Sequence, residues 1–294
     1  MTRTALMMGA AAVVMVAGAE MILRLRAPVH TDSLPYYHAD DRIGYIPLPG
    51  QSGVFRGARW VLNERSMGTA QPFAPTAGRD IALVGDSIVF GAQLDQPDKL
   101  GPQLEKAIGA TVWPIGAPSW ALQNELQYLR DHPEVVAGAD QIVFVLNWLD
   151  FGDPSEWKTD QRHPLPPPPR FLLGEAIMRR VRRLTGTRPD PVPVRVPDDM
   201  RVARRDNFAD LMALVARARK PVLLVFYPNR LQTGSADPCG FPLPPVAHVP
   251  GVIIRCVKAD GAWSPAFYVD DIHPSAQGTR VLAGIIAKAL DARR

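Results

Sequence analysis

The sequence predicts an α/β fold, a parallel sheet with helices on both of its faces. Two observations predict it. Five short, nearly continuous apolar runs recur after residue 79, and amphipathic helical patterns lie between them. Runs that are apolar at nearly every position suit strands buried on both faces of a sheet. Strands alternating with helices imply βαβ units and a parallel sheet.

The strands are expected at 80–85, 111–115, 141–147, 221–227 and 252–257. Leu122, Leu126 and Leu129 recur at helical spacing, as do Phe208, Leu211, Met212 and Val215. Val281, Leu282, Ile285, Ile286, Ala289 and Leu290 line one face of a last helix, which follows a candidate N-cap at Ser275. Residues 27–79 are rich in Pro, Gly and polar residues. They read as an extended lead-in with a small hairpin near Trp60-Val61-Leu62. The main domain runs over 80–294 and carries an insertion at 151–199. That insertion holds a stiff Pro run at 163–170, a helix over 171–184 and a second Pro-rich piece ending at Pro197. Arg179, Arg180, Arg182 and Arg183 read as the solvated basic face of a packed helix.

A chain of 294 residues, 47% hydrophobic and 21% charged, has enough apolar material for one sizeable core and is not disordered overall. The net charge is +4, and much of the basic excess lies between Arg170 and Arg205, so charge does not point to a nucleic-acid partner. No zinc spacing, P-loop or dinucleotide fingerprint occurs, and no metal or organic cofactor is expected. Residues 5–23 are apolar except for Glu20, close to the roughly 20 residues of a membrane-spanning helix. Ala17-Gly18-Ala19 also fits a signal cleavage pattern. The segment is thus either an anchor or a removable export signal. The expectation is an anchor over 1–26 that holds the body at an inner membrane, outside the cytoplasm. Cys239 and Cys256 form one disulfide in such a compartment or remain as two buried thiols.

The chemistry starts at residues 80–93, DIALVGDSIVFGAQ. A strand that ends on Gly85-Asp86-Ser87 presents a serine. A serine hydroxyl is a poor nucleophile until a base takes its proton and an acceptor orients the base. Five of the six histidines, His30, His38, His132, His163 and His248, sit in polar or Pro-rich surroundings. His273 lies in YVDDIHPSAQG, three residues after Asp270 and just before the last helix. In a doubly wound sheet, both Ser87 and His273 fall on the rim at the strand C-terminal ends.

With Gly85-Asp86-Ser87, Gly91 and Asp270-Asp271-Ile272-His273-Pro274, the chain resembles the SGNH/GDSL hydrolases over roughly residues 80–290. The stretch RIGYIPLPGQSG…VLNERSMG also looks like the region before the domain in membrane-anchored members. The resemblance implies a three-layer α/β/α sandwich with a five-stranded parallel sheet, of the flavodoxin-like kind. It implies Ser87 as nucleophile, His273 as general base and Asp270 as the orienting carboxylate. It also implies an oxyanion hole. The family's donor Gly becomes Ser119 here, and its donor Asn falls on Asn147 or on Leu149, depending on the alignment. The expected donors are the N–H groups of Ser87 and Ser119 and the side chain of Asn147. The implied function is hydrolysis of O-acyl esters of a carbohydrate or lipid, a small molecule or a polysaccharide, through an acyl-enzyme. Two alternatives are an O-acyltransferase using the same three residues and an inactive carbohydrate-binding relative.

Overall fold

In the computed structural model of the chain, residues 13–23, 34–158, 171–185 and 198–291 are described. Residues 13–23 form helix α1. Two antiparallel hairpins follow, β1 (Tyr37–Asp40) with β2 (Gly44–Pro47) and β3 (Ser52–Phe55) with β4 (Ala58–Val61). The main domain begins with β5 (Asp80–Gly85), α2 (Ser87–Phe90), α3 (Leu100–Ile108) and β6 (Thr111–Gly116). It continues through α4 (Leu122–Asp131), α5 (Pro133–Gly138), β7 (Gln141–Leu146) and α6 (Leu172–Thr185). It closes with α7 (Asn207–Ala218), β8 (Val222–Phe226), β9 (Val252–Cys256) and α8 (Ala276–Asp291).

The five expected strands form one parallel sheet in the order β6-β5-β7-β8-β9, each within one residue of its predicted ends. Every residue of β5 is buried. Ile81 and Leu83 enter one core with Val143, Val145 and Val225, covered by Leu100 and Leu104 of α3 and by Leu282, Ile285 and Ile286 of α8. Ala82 and Val84 enter the opposite core with Phe144 and Phe226. Leu122 and Leu126 of α4, Val135 of α5, and Leu211 and Leu214 of α7 cover that side. The two-residue period of a strand therefore feeds two cores, which is why the run is apolar throughout. Each Val, Leu or Ile taken out of water contributes about 1.5–3 kcal/mol. The result is a three-layer α/β/α sandwich.

The chain leaves β5 to one side to form β6 and then crosses to the other side to form β7. That reversal opens a crevice at the C-terminal end of β5. Gly85 closes the bottom of it. A Cβ there would lie 2.6 Å from Val89 Cγ2 and 3.0 Å from the Val145 carbonyl oxygen. Only a glycine lets β5, β7 and α2 approach this closely.

Three expectations need revision. First, residues 34–79 hold the hairpin expected at Trp60-Val61, but they add a second one and pack on the main domain instead of forming an extended lead-in. Tyr37, Ile43, Tyr45, Ile46 and Met67 are buried in the same core as α4. The Trp120 indole N–H donates to the Tyr45 carbonyl (2.9 Å), and the Asn124 amide donates to the Ile43 carbonyl (2.6 Å). Each strand here is four residues long and bounded by turns, so no long apolar run marks it. Residues 27–33 lie outside the described residues. Second, α6 is helical as expected, but its Ile177, Met178, Val181 and Leu184 are exposed. The Leu173 N–H donates to Glu20 of α1 (2.8 Å). The Pro-rich stretches at 163–170 and 186–197 lie outside the described residues. Third, the thiol alternative gives way, because Cys239 and Cys256 form a disulfide. For the anchor, residues 1–12 and 24–26 lie outside the described residues, and among the described ones no helix is long and apolar enough to cross a membrane.

The disulfide joins the last residue of β9 to the segment after β8 across a separation of 17 residues. Closing a loop of that size removes about 3 kcal/mol of unfolded-state freedom. The Cys239→Ser/Cys256→Ser protein is expected to unfold at lower urea, by about that free energy. A midpoint equal to the parent's under oxidising conditions would show that the bridge does not form in solution.

Candidate active site

Asp86 ends the strand and starts a helix. Its side chain accepts the Ile88 N–H (2.8 Å), which makes it the N-cap of α2 and places Ser87 at the first helical position. The helix lasts one turn. Gly91, in the left-handed region at φ +59°, ends it by donating its N–H to the Ser87 carbonyl (2.9 Å). Ser87 is left half-buried at the mouth of the crevice.

His273 arrives from the far end of the chain. Its Nε2 lies 2.9 Å from Ser87 Oγ, and its Nδ1 lies 2.8 Å from Asp270 Oδ2. A carboxylate only accepts, so Nδ1 carries the hydrogen and Nε2 is left to accept from the serine hydroxyl. The other oxygen of Asp270 accepts the N–H groups of His273 (2.7 Å) and Ile272 (2.9 Å). Partial burial pushes the Asp270 carboxyl up. Those two N–H groups and the facing imidazole outweigh it and hold the carboxyl at about 2. Asp270 is thus an anion throughout the neutral range. The loop itself is tied down. The Tyr227 hydroxyl donates to the Ile272 carbonyl (2.8 Å) and the Arg230 N–H donates to the Asp271 carbonyl (2.8 Å). The Val269 N–H donates to the His273 carbonyl (2.9 Å).

Beneath Ser87 lies a buried polar layer. The Asn147 amide donates to Asp86 Oδ2 (3.0 Å), and its oxygen accepts the Leu149 N–H (2.8 Å). The Asn147 N–H donates to Asp150 Oδ2 (2.6 Å). Asn147 is thus coupled to Ser87 through Asp86, and one hydrogen of its amide is committed there. Burial pushes Asp86 up to about 6, against the opposing pull of the Ile88 N–H, His273 and Asn147. Burial and the charge of Asp86 push Asp150 well above the usual carboxylate range, and Glu125 likewise. Both carboxyl oxygens of Glu125 are buried without a hydrogen-bond partner. A charge there would be unpaid by any donor, so the neutral acid is the stable form.

Ser119 sits on the loop after β6, beside β5. It is exposed and takes a left-handed backbone, φ +66°, a conformation that favours glycine over serine. Its carbonyl accepts from the Ser155 hydroxyl. Among the described residues, the N–H groups of Ser87 and Ser119 carry no hydrogen bond. The structure therefore brings Ser87, His273 and Asp270 into one hydrogen-bonded chain. It connects Asn147 to that chain indirectly, and it shows no bond between Ser119 and the others.

Four residues near the site escape a sequence reading. Asp86 acts as a cap and an anchor rather than as a mere neighbour of the serine. Asp150 stands three residues after Asn147 in capping-box spacing, a signal that is readable in retrospect. The Gln93 amide lies 3.4 Å from Asp270 Oδ2. Glu125 interrupts the apolar face of α4 with nothing in the sequence to mark it as buried. Among the described residues, no group of His, Cys, Asp and Glu could hold a metal ion.

Known structures resemble the chain only remotely. A lipolytic protein of the G-D-S-L family from Desulfitobacterium hafniense DCB-2 is 12% identical. It covers 71% of this chain and 98% of its own, with a TM-score of 0.39. A salicylyl-acyltransferase from a tetracycline biosynthetic pathway is 13% identical, covering 76% of this chain and 56% of its own, with a TM-score of 0.39. A carbohydrate esterase family 2 enzyme with its carbohydrate binding domain, from Corynascus thermopiles (Myceliophthora fergusii), is 15% identical. The figures there are 76%, 69% and 0.36. No protein-family model and no curated protein matches the chain.

The shift of Asp86 has a measurable sign. The folded protein keeps the Asp86 proton up to about 6, whereas the usual value is 3.8. Its contribution to stability is therefore complete below 3.8 and is lost as pH rises through 6. Asp270 is shifted the other way and acts in a separate window, between about 2 and 3.8. The Asp86→Asn protein cannot titrate at this position. Its urea midpoint is expected to fall less steeply than the parent's as pH rises from 4 to about 6.5. Equal slopes would assign the titration to other groups.

Proposed function

We propose that the protein is a serine ester hydrolase of the SGNH/GDSL type. The observation that carries this reading is the unbroken chain Ser87 Oγ–His273 Nε2, 2.9 Å, and His273 Nδ1–Asp270 Oδ2, 2.8 Å. Ser87 Oγ attacks the carbonyl carbon of the ester while its proton passes to His273 Nε2. The carbonyl oxygen becomes an oxyanion, held by the N–H groups of Ser87 and Ser119 and by the second amide hydrogen of Asn147. The carbon–oxygen bond to the alcohol then breaks, and the leaving oxygen takes the proton from His273. Water enters, gives a proton to the same nitrogen and attacks the acyl-serine. Ser87 recovers its proton as the acid departs. Asp270 stays anionic and stabilises the imidazolium at both stages. An alcohol in place of the water would convert hydrolysis into acyl transfer.

Each oxyanion donor is worth about 10²–10³ in turnover. The unoccupied N–H groups of Ser87 and Ser119 are the donors that the reading requires. In the same proposal, the apolar N-terminal segment attaches an exported domain to the membrane. The Cys239–Cys256 disulfide suits the oxidising compartment that such an export reaches.

A fluorophosphonate probe tests the assignment on the full chain. The parent is expected to label, Ser87→Ala to stay blank, and His273→Ala to label at least about 10³-fold more slowly. Asp270→Asn should keep the fold and lose roughly 10⁴ in ester turnover. A folded parent that stays unlabelled, or a Ser87→Ala protein that labels, would sink the reading.

A further inference from the structure

The turn that follows β7 presents two large apolar side chains to solvent at the site. Trp148 is 53% exposed and Leu149 is 58% exposed. The residues on either side of them are the opposite. Asn147 and Asp150 are both 1% exposed, and Phe151 packs edge-on against Phe226. The turn is also fixed from within. The Leu149 N–H donates to the Asn147 side chain, the Asn147 N–H donates to Asp150, and the Gly152 N–H donates to the Leu149 carbonyl. With both ends buried and the backbone pinned, Trp148 and Leu149 have only the outward direction.

A lone exposed hydrophobic residue is ordinary on a protein surface. Two adjacent ones on a rigid turn at the rim of a crevice make a preformed apolar surface. Its place matters. Asn147 starts the turn and reaches Asp86, the residue next to Ser87. In the sheet, β7 flanks β5 on the side opposite β6 and its Ser119 loop. The apolar character continues along the same rim. Leu231 follows Arg230, whose N–H holds Asp271, and Val269 precedes Asp270. Both are exposed.

We infer that Trp148 and Leu149 form the acyl-binding surface of the site, and that the acyl group it takes is a hydrocarbon chain longer than acetyl. The inference rests on the hydrolytic reading of Ser87. An ester carbonyl held there directs its oxygen to the N–H donors and its leaving oxygen to His273. The acyl substituent is left with the remaining open direction, along the β7 side of the rim. A chain lying on the indole and the leucine loses water from both. A surface of this kind covers one side of the chain, so each added methylene is expected to raise kcat/KM about twofold, below the fourfold of full burial.

The test uses the full chain with 4-nitrophenyl esters from acetyl to octanoyl. The parent is expected to prefer octanoyl by tenfold or more. Trp148→Ala and Leu149→Ala should each cut the octanoyl-to-acetyl ratio, the double variant should cut it at least tenfold, and Trp148→Phe should restore most of it. These side chains are exposed, so the fold is not at stake. Binding is read separately from catalysis by titrating the Ser87→Ala protein with octanoyl and acetyl esters of one alcohol and following the part of the tryptophan fluorescence change that a Trp148→Phe substitution removes. Tighter octanoyl binding supports the inference even if the parent turns nothing over. A parent that labels with fluorophosphonate yet shows a flat chain-length profile overturns the inference and leaves the nucleophile standing. Tight binding of short-chain sugar esters, with no gain from octanoyl, overturns it in favour of ring stacking on Trp148. A parent that neither labels nor hydrolyses fails the reading of Ser87 itself.

Discussion

The carboxyl group of Asp86 has left water and must find its hydrogen bonds inside the protein. It takes one from the Ile88 N–H and one from the Asn147 amide. With those two bonds a single side chain joins the end of β5, the start of α2 and the end of β7. The direction of Ser87 is a consequence of that joint, because the serine follows the capping residue directly. The close approach allowed by Gly85 serves the same joint from the backbone side. The serine end of the site is therefore positioned by one buried residue, whose Oδ2 also lies 3.4 Å from the Ser87 hydroxyl.

Two aspartates near the serine face opposite physical problems. Asp270 is partly exposed and collects two backbone N–H groups and an imidazole, so its charge is cheap to keep. Asp86 is buried above two further acids, Glu125 and Asp150, and its charge is costly. Like charges at close quarters cannot all be present, so the layer beneath the serine retains protons where the loop above it does not. The electrostatic contrast runs across the depth of the site. Asp270 stands near the surface as an anion, Asp150 and Glu125 keep their protons in the floor, and Asp86 between them gives up its proton only above about 6.

The sheet was legible because its physics is local and repetitive. A strand covered on both faces must be apolar at nearly every position, and β8, β5 after Asp80 and β7 after Gln141 are. Ser87, His273 and Asp270 were legible because the short segments around them carry their own turn chemistry. The hairpin at Trp60-Val61 was legible, but the one over residues 37–47 and the packing of both were not. Their apolar residues, such as Tyr37, Ile43 and Tyr45, come singly or in pairs between turns, and much of their burial comes from partners on and just before α4, more than 70 residues away. Glu125 was not legible either, since nothing local announces that a helix will be covered on every side. Asn147 was legible as a residue of the site, but its hydrogen-bond partner was not. That one hydrogen of its amide serves Asp86 is set by the tertiary structure.

The interlock between the hairpins and the α4 region has a consequence for the order in which the chain folds. The bonds from Trp120 to Tyr45, from Asn124 to Ile43 and from Tyr45 to Pro118 span 75, 81 and 73 residues. The N-terminal hairpins emerge first during synthesis, yet two-stranded hairpins of this length are marginal alone. They must wait for residues 113–155 before their apolar faces have anywhere to go. Such non-local pairing is slow to form because chain closure precedes its reward. The loop that carries Ser119 lies at this seam, between Tyr45 on one side and Ser155 on the other. The Ser119 side of the crevice is therefore assembled late, from residues 37–61 and 113–155 together.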